Sequence, residues 1–139
     1  MEYKSINGLT LPVFSFGTGA MGPNYSIDKS RDDARIQAIR NAIEKGITHI
    51  DTAERYSGGR AEELIGEAIK GFDRSKIFIT TKVLSENLKY AALLSAAEAS
   101  VRRLTTYADL YLIHKPNPDI SLEETIDAMD RLCPKSQKI

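Results

Sequence analysis

The chain lacks a charge excess of either sign: its 139 residues carry 19 Lys and Arg against 19 Asp and Glu, a formal net charge of +0. It also lacks blocks of Lys or Arg. Nucleic-acid phosphates or an anionic membrane surface would therefore find no electrostatic footprint, and any anionic ligand must be held locally. Cysteine is nearly absent. The single Cys133 makes no internal disulfide and no multi-cysteine metal site, fits a reducing compartment, and reads as a passive thiol near the terminus. No apolar run approaches the roughly 20 residues that span a bilayer. The start at Met1, Glu2, Tyr3 and Lys4 has none of the regions of a secretory signal. A cytoplasmic protein without nucleic-acid or membrane partners is the expectation. What is present, 42% hydrophobic and 27% charged residues, suits one soluble domain with a real core.

Strand-like and helix-like segments alternate along the chain, with no repeats and no linkers. Tyr3–Ile6 and Leu11–Phe14 pattern as a hairpin across Asn7-Gly8, a strong two-residue turn signal. Apolar spacing predicts helices over Asp32–Lys45 (Ala34, Ala38, Ile39, Ala42, Ile43), Arg60–Lys70, and Asn87–Leu104, with Gly46 and Gly71 as stops. Strands are expected over Ile47–Ala53, Lys76–Val83 and Ala108–His114, after a first one near Phe14. Ser121 opens a last helix with a capping box in which Glu124 is the third-position acid, and Pro134 should end it. The alternation, at roughly thirty residues per unit, implies parallel strands in βα units.

Two architectures compete. A doubly wound sheet normally carries G-x-G-x-x-G opening a helix directly after its first strand. Gly17, Gly19 and Gly22 have that spacing, but Pro23 and a charged stretch follow, so the match is weak, and the glycines equally serve a bend or a close backbone approach. A barrel of βα units is the other architecture.

Asp51, Lys82 and His114 each end an apolar run, and Tyr56 lies five residues after Asp51. Polar groups at the carboxyl ends of successive parallel strands converge on one face, where such folds place their chemistry. Taken singly each has a plainer reading: Asp51 a turn former or helix cap, Tyr56 surface packing, Lys82 a solvated strand terminus, His114 a strand cap. His49, inside a strand, reads as structural.

The segment from Gly46 through Asp51, Tyr56 and Gly58-Gly59 to Gly66 resembles the signature of the aldo-keto reductases. Leu11–Thr18, Ile77–Lys82 and Asp109–Pro116 resemble that family's first strand, its lysine-bearing third strand and its histidine-bearing fourth strand. The resemblance implies an α/β fold of TIM-barrel (β/α)8 type, of which residues 1–139 form a single domain matching the N-terminal half: a hairpin over 1–14, four βα units over 15–133 and a tail over 134–139. It implies an oxidoreductase reducing aldehydes or ketones with NADPH. Tyr56 would be the general acid, Lys82 the cation that makes a phenol near pKa 10 a usable acid, Asp51 the partner of Lys82, and His114 the group orienting the carbonyl. Thr18, Gly19, Ala20 and Asp51 would lie at the nicotinamide ribose, and no metal is required. In this family most cofactor contacts come from strands five to eight. Bulky aromatics often seen after its first strand and after its histidine are replaced here by Gly19 and Lys115. A half barrel would expose two strand edges and an interior face of Ile, Val and Leu, which suggests a homodimer or a second-half chain completing the barrel. The alternative is a non-catalytic remnant or interaction module presenting that half-barrel face.

Overall fold

The protein is described here by a computed structural model covering residues 2–22 and 25–132. Cys133, the stop at Pro134 and the tail over 134–139 lie outside the described residues.

The chain opens with a hairpin of β1 (Tyr3–Ile6) and β2 (Leu9–Pro12), paired from Tyr3 opposite Pro12 to Ile6 opposite Leu9. Asn7 and Gly8 take φ of 48° and 83°, the paired left-handed conformations of a turn whose twist matches the flanking strands. The second arm starts two residues earlier than the sequence pattern suggests, because a two-residue turn leaves no slack between Gly8 and the partner strand.

Four βα units follow: β3 (Ser15–Gly17), α1 (Asp32–Glu44), β4 (His49–Asp51), α2 (Arg60–Ala68), β5 (Phe78–Val83), α3 (Tyr90–Leu104), β6 (Leu110–Ile113) and α4 (Leu122–Leu132). The strands are parallel and lie in the order β3-β4-β5-β6. Ladder bonds continue past the strand limits, from Thr52 N–H to Thr80 O at 2.8 Å and from His114 N–H to Val83 O at 3.0 Å. The paired backbone thus reaches the lengths that the apolar runs suggest.

The order decides between the two architectures. A doubly wound sheet reverses direction and carries helices on both faces, whereas here sequence order equals spatial order and every helix packs on one face. Phe16, Ile50 and Ile79 join Ile39, Ile43, Leu64, Ile65 and Leu104 from the first three helices in one apolar cluster. Val83, Tyr111 and Ile113 meet Leu93, Ala97 and Ala128 from α3 and α4 in another. This is an arc of a βα barrel. Ala34 alone among the anticipated α1 positions stays exposed.

The opposite face departs from expectation. Register places Ser15, Gly17, His49, Asp51, Phe78, Thr80, Lys82, Leu110 and Leu112 on it. Strict alternation sends the isoleucines and valine to the helix side, so this inner face is largely polar, with Phe78, Leu110 and Leu112 as its apolar members. The hairpin lies at its lower end. His49, buried there, sits 2.9 Å from Thr80 Oγ1 and 3.4 Å from Pro12 O, with its ring edge-on to Phe78. A cavity of about 550 Å³ between hairpin and strand starts is lined by Tyr3, Leu9, Pro12, Lys76 and Phe78 among others, at the end of the sheet opposite the carboxyl ends of the strands.

The capping box also resolves differently. Ser121 Oγ lies 3.5 Å from Glu124 N, while the Glu124 carboxylate accepts from the N–H of Tyr90, the first residue of α3, at 2.9 Å. An unpaired N–H at a helix start is satisfied as anticipated, but on the neighbouring helix, where the carboxylate also meets the positive end of its dipole.

Candidate active site

All four candidate residues come together at the carboxyl ends of the strands. Lys82 Nζ donates to Asp51 Oδ1 at 2.6 Å and to Thr52 O at 2.9 Å, and it lies 5.5 Å from the centroid of the Tyr56 ring. The Tyr56 and His114 rings meet edge to face, 5.7 Å between centroids at 90°. One continuous chain of contacts therefore runs from Asp51 through Lys82 and Tyr56 to His114.

The backbone places Tyr56 by a costly route. Tyr56–Gly59 forms a 3-10 turn in which Ser57, Gly58 and Gly59 take φ of 52°, 60° and 90°. Two glycines accept this freely, while left-handed Ser57 costs about 1 kcal/mol. Ser57 is nonetheless buried at 2% exposure, pressed where a Cβ on Gly22 would fall 2.4 Å from its Oγ. A Cβ on Gly19 would stand 3.3 Å from Tyr56 Cζ, so a side chain there would crowd the phenol.

A strap unread in the sequence ties this turn to β5. The Glu54 N–H donates to Lys82 O at 3.2 Å, and the Glu54 carboxylate accepts from Leu84 N–H at 2.5 Å and Asn87 Nδ2 at 3.0 Å. The loop bearing Tyr56 and the strand bearing Lys82 are thereby held together two residues from each functional group.

Burial holds the pKa of His114 below its ordinary value, and the positive charges of Arg55, Lys82 and Lys115 press it further the same way, with Asp51 opposing. The imidazole is therefore neutral at neutral pH, and its Nδ1 is buried without a hydrogen-bond partner among the described residues. A neutral imidazole can donate a hydrogen bond from one ring nitrogen and accept at the other.

Of the cofactor candidates, Thr18 is buried and used internally. Its N–H donates to Asp51 O at 2.9 Å and its hydroxyl to Thr52 Oγ1 at 2.8 Å. It acts as a strut that presents Gly19 and Ala20, both exposed, beside Tyr56. Thr52 and Glu54 went unread because a buried hydroxyl pair and a carboxylate aimed at main-chain N–H groups carry no spacing signal. Arg55 was unread for a related reason, since its placement depends on the turn that follows it.

The aldo/keto reductase family model matches residues 14–135. Methylglyoxal reductase YeaE of Escherichia coli is 42% identical over 136 residues, covering 95% of this chain and 46% of the relative. The solved structure of the thermostable aldo-keto reductase Tm1743 with the inhibitor epalrestat superposes with a TM-score of 0.92 at 46% identity, over 96% of this chain and 50% of that one. An aldo/keto reductase from Klebsiella pneumoniae, solved with NADP and acetate, gives 0.81 at 38% identity, over 91% and 43%. The chain thus spans about half the length of the relatives it matches. With a strand order that winds in one direction, a lysine-centred cluster at the strand ends and a family match over most of its length, this chain belongs to the aldo/keto reductase family.

Proposed function

We propose that residues 1–139 form a single domain corresponding to the N-terminal half of a carbonyl reductase barrel, and that it supplies the proton-handling side of NADPH-dependent reduction of aldehydes and ketones to alcohols. The observation that carries this reading is Lys82 Nζ, held at 2.6 Å by Asp51 and 5.5 Å from the Tyr56 ring centroid. A phenol is a weak acid at neutral pH, and a fixed cation beside it stabilises the phenolate left when its proton goes to the carbonyl oxygen. Asp51 holds the ammonium in place. His114, neutral, orients the carbonyl oxygen toward Tyr56. The residues present fit the nicotinamide end of a cofactor: the small exposed Gly19 and Ala20, steadied by Thr18, leave open space beside Tyr56, with Asp51 at the ribose. Bound NADPH supplies the hydride, which no side chain can.

The inner face carries Leu112, 36% exposed, and the described sheet has strand edges at β3 and β6. A second copy, its β3 edge against this β6 edge and the reverse, would give eight parallel strands and bring further cofactor surface; a second-half chain would do the same. A monomeric mass by sedimentation at micromolar concentration contradicts the homodimer. An interaction module without catalysis, presenting the inner face, is the second reading. Following NADPH oxidation with a small carbonyl substrate separates the two readings. Turnover that falls by about 10²-fold or more in Tyr56→Phe is expected of a general acid, and turnover unaffected by that change contradicts the assignment.

A further inference from the structure

Most arginines beside carboxylates here are paired: Arg35 with Asp28, Arg60 with Asp32, Arg74 with Asp109, Arg103 with Glu62. Arg55 is different. It is only partly exposed, forms no ion pair among the described residues, and its Nε is buried with no hydrogen-bond partner. Its guanidinium carbon lies 5.4 Å from the centroid of the Tyr25 ring, which covers one side and leaves the in-plane donors unused. A buried donor left without an acceptor is unfavourable and calls for an explanation.

Its place supplies one. Arg55 precedes Tyr56 and exposed Lys115 follows His114 in the chain, and the charges of both act on His114. Lys82, the third cation acting there, is held by Asp51. Glu86 is near enough to feel Arg55, yet it is exposed and accepts instead from Ser85 Oγ at 2.8 Å. In a chain of formal net charge +0, two cations that form no ion pair among the described residues thus adjoin Tyr56 and His114 along the chain. A guanidinium with its fork free is matched by a carboxylate, which takes two parallel N–H bonds.

We propose that Arg55, assisted by Lys115, forms a carboxylate-recognising subsite beside Tyr56 and His114, so that this site prefers carbonyl compounds bearing a carboxylate over neutral ones of the same length. The proposal rests on the carbonyl reductase reading only for where the substrate carbonyl lies; the anion subsite stands on Arg55 itself.

The test is an NMR titration of the isotope-labelled chain with levulinate and, in parallel, with 2-pentanone, which has the same ketone and no carboxylate. Levulinate is expected to shift the Arg55 Nε–H and His114 ring signals and to bind about tenfold more tightly than 2-pentanone, the size of a charge-assisted hydrogen bond. Arg55→Met should bring the two to parity, Arg55→Lys should keep part of the preference, and Lys115→Met should reduce it less. The backbone spectrum of each variant reports whether it is folded, and Arg55→Lys keeps the test open should Arg55→Met misfold. Equal affinity for the two ketones, or a preference surviving Arg55→Met, overturns the proposal. So does an Arg55→Met variant that loses NADPH affinity while keeping the preference, which would make Arg55 a cofactor ligand. A preference lost in Arg55→Met but kept in Tyr56→Phe, in a chain that turns over no carbonyl, leaves the subsite standing and removes the reductase reading.

Discussion

Asp51 and Lys82 are both partly buried, with side-chain exposures of 32% and 16%, a setting in which an ion pair matters more for aiming a charge than for stability. Asp51→Asn keeps the shape and removes the charge that fixes Nζ, so turnover should fall by about 10- to 100-fold, short of the loss from removing the acid itself. Steady-state kinetics checks this, and an Asp51→Asn variant at full rate contradicts the pairing role. The four candidate residues were legible because Asp51, Lys82 and His114 each close an apolar run and the signature around Tyr56 is long. Arg55 was not, because its meaning lies in what it fails to contact, and that is visible only once Tyr25, Tyr56 and His114 are in place.

At the scale of elements, α2 and α3 pack so closely that Gly66 has no room for a side chain: a Cβ there would lie 2.5 Å from the carbonyl oxygen of Leu104 and 2.9 Å from its carbon. Gly→Ala inside a helix ordinarily stabilises by about 1 kcal/mol. Here the neighbour is backbone and cannot yield, and overpacking of about 1–3 kcal/mol reverses the sign. Gly66→Ala should therefore lower stability, by up to about 2 kcal/mol; denaturant unfolding measures it, and a stabilised variant contradicts the packing. The Glu54 strap makes a second test. Glu54→Ala leaves the Leu84 N–H and the Asn87 amide without their acceptor, a loss of about 1–3 kcal/mol, and leaves the Tyr56 turn tied to β5 by the backbone bond to Lys82 O alone. Turnover should drop with stability, whereas Glu54→Gln, which still offers an oxygen, should retain most of both. The order and type of the elements were readable from 3.6-residue and alternating patterns, and their parallel pairing from the spacing. The direction in which Glu124 turns was not, since a carboxylate near two helix starts can satisfy either, and the sequence shows only its own.

For the whole molecule, the inner face was misjudged because apolar runs such as Ile77–Thr80 were read without alternation, and register sends Ile79 and Val83 to the helices. The two histidines give a pH signature. Burial lowers the pKa of both His49 and His114 from 6.5, so the unfolded chain binds protons that the folded chain refuses. Their contribution is complete above pH 6.5 and is lost as the pH falls from there toward the folded values. Carboxylates with lowered values, such as Asp28 at about 2, act in a more acidic window. Unfolding midpoints should therefore drop between about pH 6.5 and 5, and His49→Gln should flatten that slope; a midpoint constant across this range contradicts the assignment of buried neutral imidazoles.

That this arc of four βα units can place a nicotinamide beside Tyr56 is tested most directly by calorimetric titration of the 139-residue chain with NADPH at high protein concentration, with Tyr56→Phe as a folded control that should still bind. Saturable micromolar binding, retained in Tyr56→Phe, is the expected result and would mean that these 139 residues supply enough of the cofactor surface. A folded sample that takes up no NADPH would leave the Asp51–Lys82–Tyr56–His114 cluster without its hydride donor and contradict the reductase reading of this chain.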